Sequence, residues 1–431
     1  MAKKQNLLFG TLLLSAASFI SRLCGFSLRI FLSHTFTAEQ IGLYQLIFPI
    51  YALCFSMTSA GIELALSRSV AKEISLGNKK KAIFFLYISL FISLLLSVCS
   101  MKTLQRNASF LAIHILGDLR CETLIMIISR ALPFASIHSC VCGYYLGLKQ
   151  AKITAISQLI EQGIRVASTI LLCQTCPNIL FAVHGIVLSE FFSALFCIWY
   201  YSRHDFCLIS REMIRKCFQP SKELLTLAIP ITANRVLSNL LQNIESISIP
   251  LCLQKYGYTN SESLGIFGVL TGMVLPCILF PSAVTNAIAT QLLPTVAELQ
   301  SKNNQNSLYR LVKRVLLFCV LLGSSCCILL FISSDIIGLT IFHSSSTADF
   351  LKVLCWICPF LYTNATLSSV INGLGKTHIT FIISCLCMLI RITAIILFIP
   401  NIGIKAYLLG LLFSQFLAFI LNLLYLAKRG C

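Results

Sequence analysis

Residues 7–33 limit what this chain can become. They form an apolar run broken only by Ser21-Arg22-Leu23-Cys24-Gly25-Phe26-Ser27-Leu28-Arg29. About 27 residues, rising about 1.5 Å each as a helix, are long enough to cross a bilayer with some tilt. The two arginines are seven positions apart, so at about 100° per residue they share nearly one helix face, roughly 10 Å apart along the axis. An arginine at membrane depth costs at least about 2.5 kcal/mol, which leaves such a pair facing a polar cavity or a partner. Snorkelling to the headgroups is the alternative for Arg29, near the end of the run; Arg22 lies deeper. The simplest expectation is an anion-binding wall inside a transporter.

The rest of the chain agrees with a membrane reading. Of its 431 residues 57% are hydrophobic and 11% charged, too little polar surface to cover a soluble domain. The net charge of +18 is what lysine- and arginine-rich inner loops would give, and no basic module interleaved with aromatics points to nucleic acid. The 21 cysteines lie almost entirely in apolar runs. Cys173/Cys176 and Cys355/Cys358 have C-x-x-C spacing, but with no histidine near them in sequence they make a poor zinc site; they are read as small core residues, and no metal is expected. The basic start, Met1-Ala2-Lys3-Lys4, precedes an apolar run longer than that of a signal peptide, so an uncleaved first helix is expected.

Twelve membrane helices are predicted, near residues 7–33, 41–66, 82–101, 122–148, 153–174, 178–201, 224–253, 264–293, 315–342, 350–375, 379–399 and 402–426. Their alternate connections gather the positive charge, with Lys79, Lys80, Lys81, Arg203, Lys313 and Arg314 on one side and only scattered residues such as Lys102 and Lys255 on the other. By the positive-inside rule both termini are expected in the cytoplasm. The fold class expected is therefore an all-α polytopic membrane protein.

The chain also echoes itself. Arg22 and Arg29 correspond to Arg235 and Gln242, each displaced by 213 positions. Gly42-Leu43-Tyr44-Gln45 resembles Gly265-Ile266-Phe267-Gly268, and each of these helices leads into a basic segment, 67–81 or 295–314. Gly143 and Gly147, with Lys149 and Arg165 after them, resemble Gly373 and Gly375, with Lys376 and Arg391 after them. This suggests two six-helix lobes, 1–201 and 224–431, joined by a basic cytoplasmic loop at 202–223 and related by a parallel repeat, with the substrate path between the lobes.

Several ionisable residues fall inside predicted helices. Glu161 and Arg165 are one turn apart, flanked by Gln158 and Gln162, and read either as a structural ion pair or as an ion-coupling site. Glu245 has no evident partner nearby in sequence and is the better candidate for proton or sodium coupling; Glu63 and Glu190 are further options. Asp118, Asp205, Asp335 and Asp349 are isolated, so the clustered carboxylates that a glycosyl- or prenyltransferase needs for Mg²⁺ are missing, and no nucleophilic triad or phosphate-cradling glycine loop appears. An enzyme is not expected.

Three stretches carry a family resemblance. Ser21-Arg22-Leu23-Cys24-Gly25-Phe26 resembles the opening signature of the multidrug/oligosaccharidyl-lipid/polysaccharide (MOP) flippase superfamily in its stage V sporulation protein B branch and in MurJ-type lipid II flippases. Gly143-Tyr144-Tyr145-Leu146-Gly147, leading to Ser157-Gln158-Leu159-Ile160-Glu161-Gln162-Gly163-Ile164-Arg165-Val166, resembles the sporulation branch in particular. The long eighth helix, followed by Pro294-Thr295-Val296-Ala297-Glu298, is similar as well. The resemblance implies a MATE-like fold and a bacterial plasma-membrane flippase, acting as a monomer by alternating access on a polyprenyl-diphosphate-linked sugar or peptidoglycan precursor for spore cortex or envelope. Arg22, Arg29 and Arg235 would then bind the diphosphate and Asn234, Asn239 and Gln242 the sugar hydroxyls, while the tail stays in the lipid. The alternative for the seventh-helix polar residues is hydrogen bonding between packed helices. Relatives of this branch commonly have 14 helices, and MurJ-type flippases place an arginine in the eighth; this chain is expected to have 12, and its eighth has no basic residue. A proton- or sodium-coupled multidrug or metabolite antiporter of the same fold is the rival function.

Overall fold

The computed structural model describes residues 2–175, 177–205, 218–302 and 305–428. The apolar runs fold as helices because a backbone in lipid has no water to satisfy it, and no strand occurs among the described residues. In chain order they are α1 (Ala2–Thr35), α2 (Ala38–Ser75), α3 (Lys79–Arg106), α4 (Cys121–Gly147), α5 (Ala151–Thr175), α6 (Ile179–His204) and α7 (Phe218–Tyr256). There follow α8 (Asn260–Leu279), α9 (Ser282–Ser301), α10 (Gln305–Ile332), α11 (Ser345–Gly373), α12 (Thr377–Ile402) and α13 (Ile404–Lys428). Eleven of them are long and apolar enough to cross a membrane; α5, interrupted by Glu161 and Arg165, and α9 are the two outside that set. With α8 and α9 forming one broken passage, the protein is an all-α, multi-pass membrane protein with the expected twelve or so spans.

The breaks correct the sequence reading. The eighth helix is not continuous over 264–293: a π-helical turn at Val269–Val274, a new start at Leu275 with Pro276 in its first turn, and a stop at Phe280-Pro281 divide it. Proline removes a backbone donor and clashes with the preceding turn, so each one restarts the helix. Ser56–Ala60 is a second π turn, inside α2. The segments 67–81 and 295–314, expected as basic loops, are mostly helix, since α2 runs on to Ser75 and α9 to Ser301 and α10 begins at Gln305. Lysine, arginine and glutamate are good helix formers, and a charged helix end can project beyond the lipid. Cys176 and most of the expected connecting loop, 206–217, lie outside the described residues.

The chain divides into two compact units, one of residues 1–28 and 43–243, the other of 29–42 and 244–431. In unit 1, α4 is the hub: it packs on the second half of α2, on α3 and on α6, and α5 pairs with α6. In unit 2, α11 is the hub, packing on α9, α10 and α13, with α12 paired to α13. Each hub thus packs closely on three other helices. Its glycines show why: a Cβ on Gly147 would lie 2.7 Å from the Ser67 carbonyl oxygen and 2.8 Å from Val70 Cβ. A Cβ on Gly373 would lie 2.9 Å from both the Leu293 carbonyl oxygen and Val296 Cβ. Membrane helices have no hydrophobic drive toward one another, so approaches this close depend on such small residues.

Candidate functional site

Unit 1 holds a polar group built from four helices. Glu63 stands on α2 just after the π turn, where Gly143 lets α4 approach so closely that a Cβ there would be 2.8 Å from the Glu63 carbonyl oxygen. The Ser139 hydroxyl on α4 donates to Glu63 Oε2 at 2.9 Å. One residue back, His138 Nδ1 lies 3.3 Å from Oε2 of Glu190 on α6, which is buried. On α5 the Arg165 guanidinium pairs with Glu161 one turn earlier, and its Nε donates to Ser189 Oγ at 3.4 Å. Ligand atoms of His138, Glu161 and Glu190 all lie within 4.8 Å of one another. Three carboxylates here outnumber the one half-buried guanidinium, an arrangement chemically able to hold a proton or a cation.

Two other arginines of unit 1, Arg22 and Arg235, lack such a pair. α1 is tied to α5 by Ser18 Oγ donating to Gln158 Oε1 and by Gln162 Nε2 donating to the Ser21 carbonyl, each at 3.3 Å. Arg22, next to that tie, is exposed and has no side-chain partner among the described residues. Arg235 on α7 is also exposed, and stands within electrostatic range of Glu63. Neither charge is consumed by an ion pair.

Unit 2 contains a separate charged group. Arg391 on α12 and Glu245 on α7 form an ion pair at 3.0 Å, and Tyr407 on α13 donates its hydroxyl to the other carboxylate oxygen at 3.0 Å. Arg29 lies in this unit too, donating from Nη1 to the Thr271 carbonyl at 3.0 Å, within the π turn of α8. A π turn shifts the hydrogen-bond register and leaves carbonyls available, and an arginine can take one up.

The model of the family described as "Polysaccharide biosynthesis protein" matches residues 7–300. The chain belongs to that family. It is 27% identical to stage V sporulation protein B of Bacillus subtilis (strain 168) over 438 residues, 99% of this chain and 84% of that protein. It is 22% identical to the lipid II flippase MurJ of the same organism over 337 residues, 72% of this chain and 61% of that protein. Its fold resembles that of an inward-facing multidrug resistance MATE family transporter of the MOP superfamily, with a TM-score of 0.76 at 16% identity, covering 95% of this chain and 94% of that one. The polysaccharide biosynthesis family membership and this fold together place the protein in the MOP superfamily.

For this family member the residues singled out in sequence separate as follows. Arg22, Arg235, Asn234 and Gln242 are exposed. Asn239 is not free for a sugar: its Nδ2 donates to the Ala52 carbonyl at 3.1 Å, and Asn243 beside it donates to the Pro49 carbonyl at 2.7 Å. These amides cap the irregular stretch of α2, the helix-packing alternative. Glu245 has a partner after all, Arg391 on a distant helix. The Glu161–Arg165 pair forms as an i,i+4 spacing allows. His138 was missed, because one histidine in an apolar helix gives no sign of the carboxylate that α6 brings to it.

Proposed function

We propose that the protein is a flippase that carries a polyprenyl-diphosphate-linked sugar or peptidoglycan precursor across a bacterial plasma membrane by alternating access. Arg22 and Arg235 are the observation on which this rests. Two exposed guanidiniums on membrane helices, without ion-pair partners among the described residues, are costly unless an anionic substrate uses them. A diphosphate matches their bidentate donors, and the exposed amides of Asn234 and Gln242 on α7 suit sugar hydroxyls. The family description and the name of the stage V sporulation protein B relative support a role in envelope polysaccharide or spore cortex. In this reading the protein acts as a monomer with both termini cytoplasmic, and no covalent chemistry is required of it.

A second reading, a proton- or sodium-coupled multidrug or metabolite antiporter, is favoured by the carboxylates around His138. One experiment separates the two. Proteoliposomes are tested in parallel for translocation of a fluorescent undecaprenyl-diphosphate-linked sugar and for export of a cationic dye driven by an imposed proton or sodium gradient. The flippase reading expects the first activity without the second. Dye export alone would replace it with the antiporter reading.

A further inference from the structure

Beside the acidic group of unit 1 lies a second set of ligand atoms to which the transport reading gives no part. Cys142 is one turn after His138 on α4, so the two side chains share a face. α6, packed against α4, brings Cys197 to the same place. A ring nitrogen of His138 and the two sulfurs all lie within 4.8 Å of one another. Both cysteines are buried, at 4% and 0% exposure, and neither forms a disulfide. His138 Nδ1 faces the Glu190 carboxylate at 3.3 Å, the arrangement that orients a metal-binding imidazole and leaves its other nitrogen to serve as ligand. The buried Ser157 hydroxyl on α5 is 3.4 Å from Cys197 Sγ, close enough to support that sulfur.

We propose that His138, Cys142 and Cys197 form a site for a thiophilic d¹⁰ cation, with Zn²⁺ the best match. Two sulfurs and one imidazole nitrogen are a poor set for Na⁺, Mg²⁺ or Ca²⁺, which take oxygen ligands. Charge selects among the soft ions. Two thiolates and a neutral imidazole cancel the charge of Zn²⁺, whereas Cu⁺ would leave a net negative charge in a helix interior that penalises it. Binding is balanced by release of two thiol protons to solvent, one from each cysteine, so it strengthens as pH rises. Three protein ligands leave the fourth tetrahedral position open for water, with Glu190 kept to orienting the imidazole. The bound ion would clamp α4 to α6 at the centre of unit 1. Were the cysteines only core residues, no metal would bind and Cys→Ser changes would alter packing alone.

The test uses the full-length protein in detergent, freed of any histidine tag, stripped with chelator and re-equilibrated in zinc-buffered solution. The expected result is about one zinc per chain by elemental analysis, lost in Cys142→Ser and in Cys197→Ser but kept in Cys173→Ser, a buried cysteine outside the cluster. In case those variants fold poorly, Co²⁺ is added to the unaltered protein, where a thiolate-to-metal charge-transfer band is expected. The proposal is overturned by absence of zinc and of that band in the unaltered protein, by unchanged zinc in the Cys142→Ser and Cys197→Ser variants, or by a native Cys142–Cys197 disulfide in mass spectrometry.

Discussion

Arg391 holds Glu245 in a buried ion pair, with side chains 14% and 7% exposed, and Tyr407 completes the carboxylate's hydrogen bonding. Removing one member leaves an uncompensated charge among apolar helices. Glu245→Leu or Arg391→Leu alone is expected to destabilise the protein by about 3–5 kcal/mol, and the double replacement by much less. Unfolding midpoints in one detergent provide the comparison. Equal losses in the single and double variants would show that the pair's electrostatics do not govern its stability.

The glycines at the two hubs give a second prediction. Gly147→Ala and Gly373→Ala each push a methyl group to within 3 Å of a backbone carbonyl and a valine, contacts that the helices can relieve only by moving apart. Each is expected to cost about 1–3 kcal/mol, the usual range for overpacking. By contrast Gly163→Ala on α5, where the new methyl meets open space, should be neutral or slightly stabilising. Thermal unfolding of the three variants side by side is the check.

Much of the fold could be read from the chain, because lipid imposes a length and an apolarity on every span. The broken eighth passage was less legible: Pro276 and Pro281 are visible in sequence, but nothing local shows that a π turn precedes them. The charged sites divide in the same way. Glu161 and Arg165 are neighbours on one helix and could be paired by spacing alone. Glu245 with Arg391, and His138 with Glu190, meet only through helix packing, so their partners lay beyond any local pattern.

The polar residues of α7 are expected to separate into two kinds. Asn243→Ala removes the amide that satisfies the Pro49 carbonyl, and should lower stability by about 0.6 kcal/mol, typical of a hydrogen bond between membrane helices, and by no more than about 1.7 kcal/mol. Gln242→Ala, at an exposed position, should leave stability unchanged and weaken substrate transport. Paired unfolding and transport measurements on both variants decide it.

If the acidic group of unit 1 couples transport to an ion gradient, Glu190→Gln should uncouple it without removing the substrate site. Downhill movement of the lipid-linked sugar is expected to persist, while any stimulation by a proton or sodium gradient disappears. Flux measured with and without the gradient reads this directly. Retained stimulation in the variant would assign Glu190 to structure.

The central claim is that Arg22 and Arg235 bind the anionic part of the substrate. It is tested most directly by the rate at which proteoliposomes translocate a fluorescent undecaprenyl-diphosphate-linked sugar, comparing the unaltered protein with Arg22→Ala, Arg235→Ala and the corresponding lysine variants, all matched for folded yield. The account predicts that each alanine variant loses at least about tenfold in rate, equivalent to about 1.4 kcal/mol of lost substrate interaction. The lysine variants, which keep the charge but not the bidentate fork, should fall between. Alanine variants as fast as the unaltered protein would contradict it.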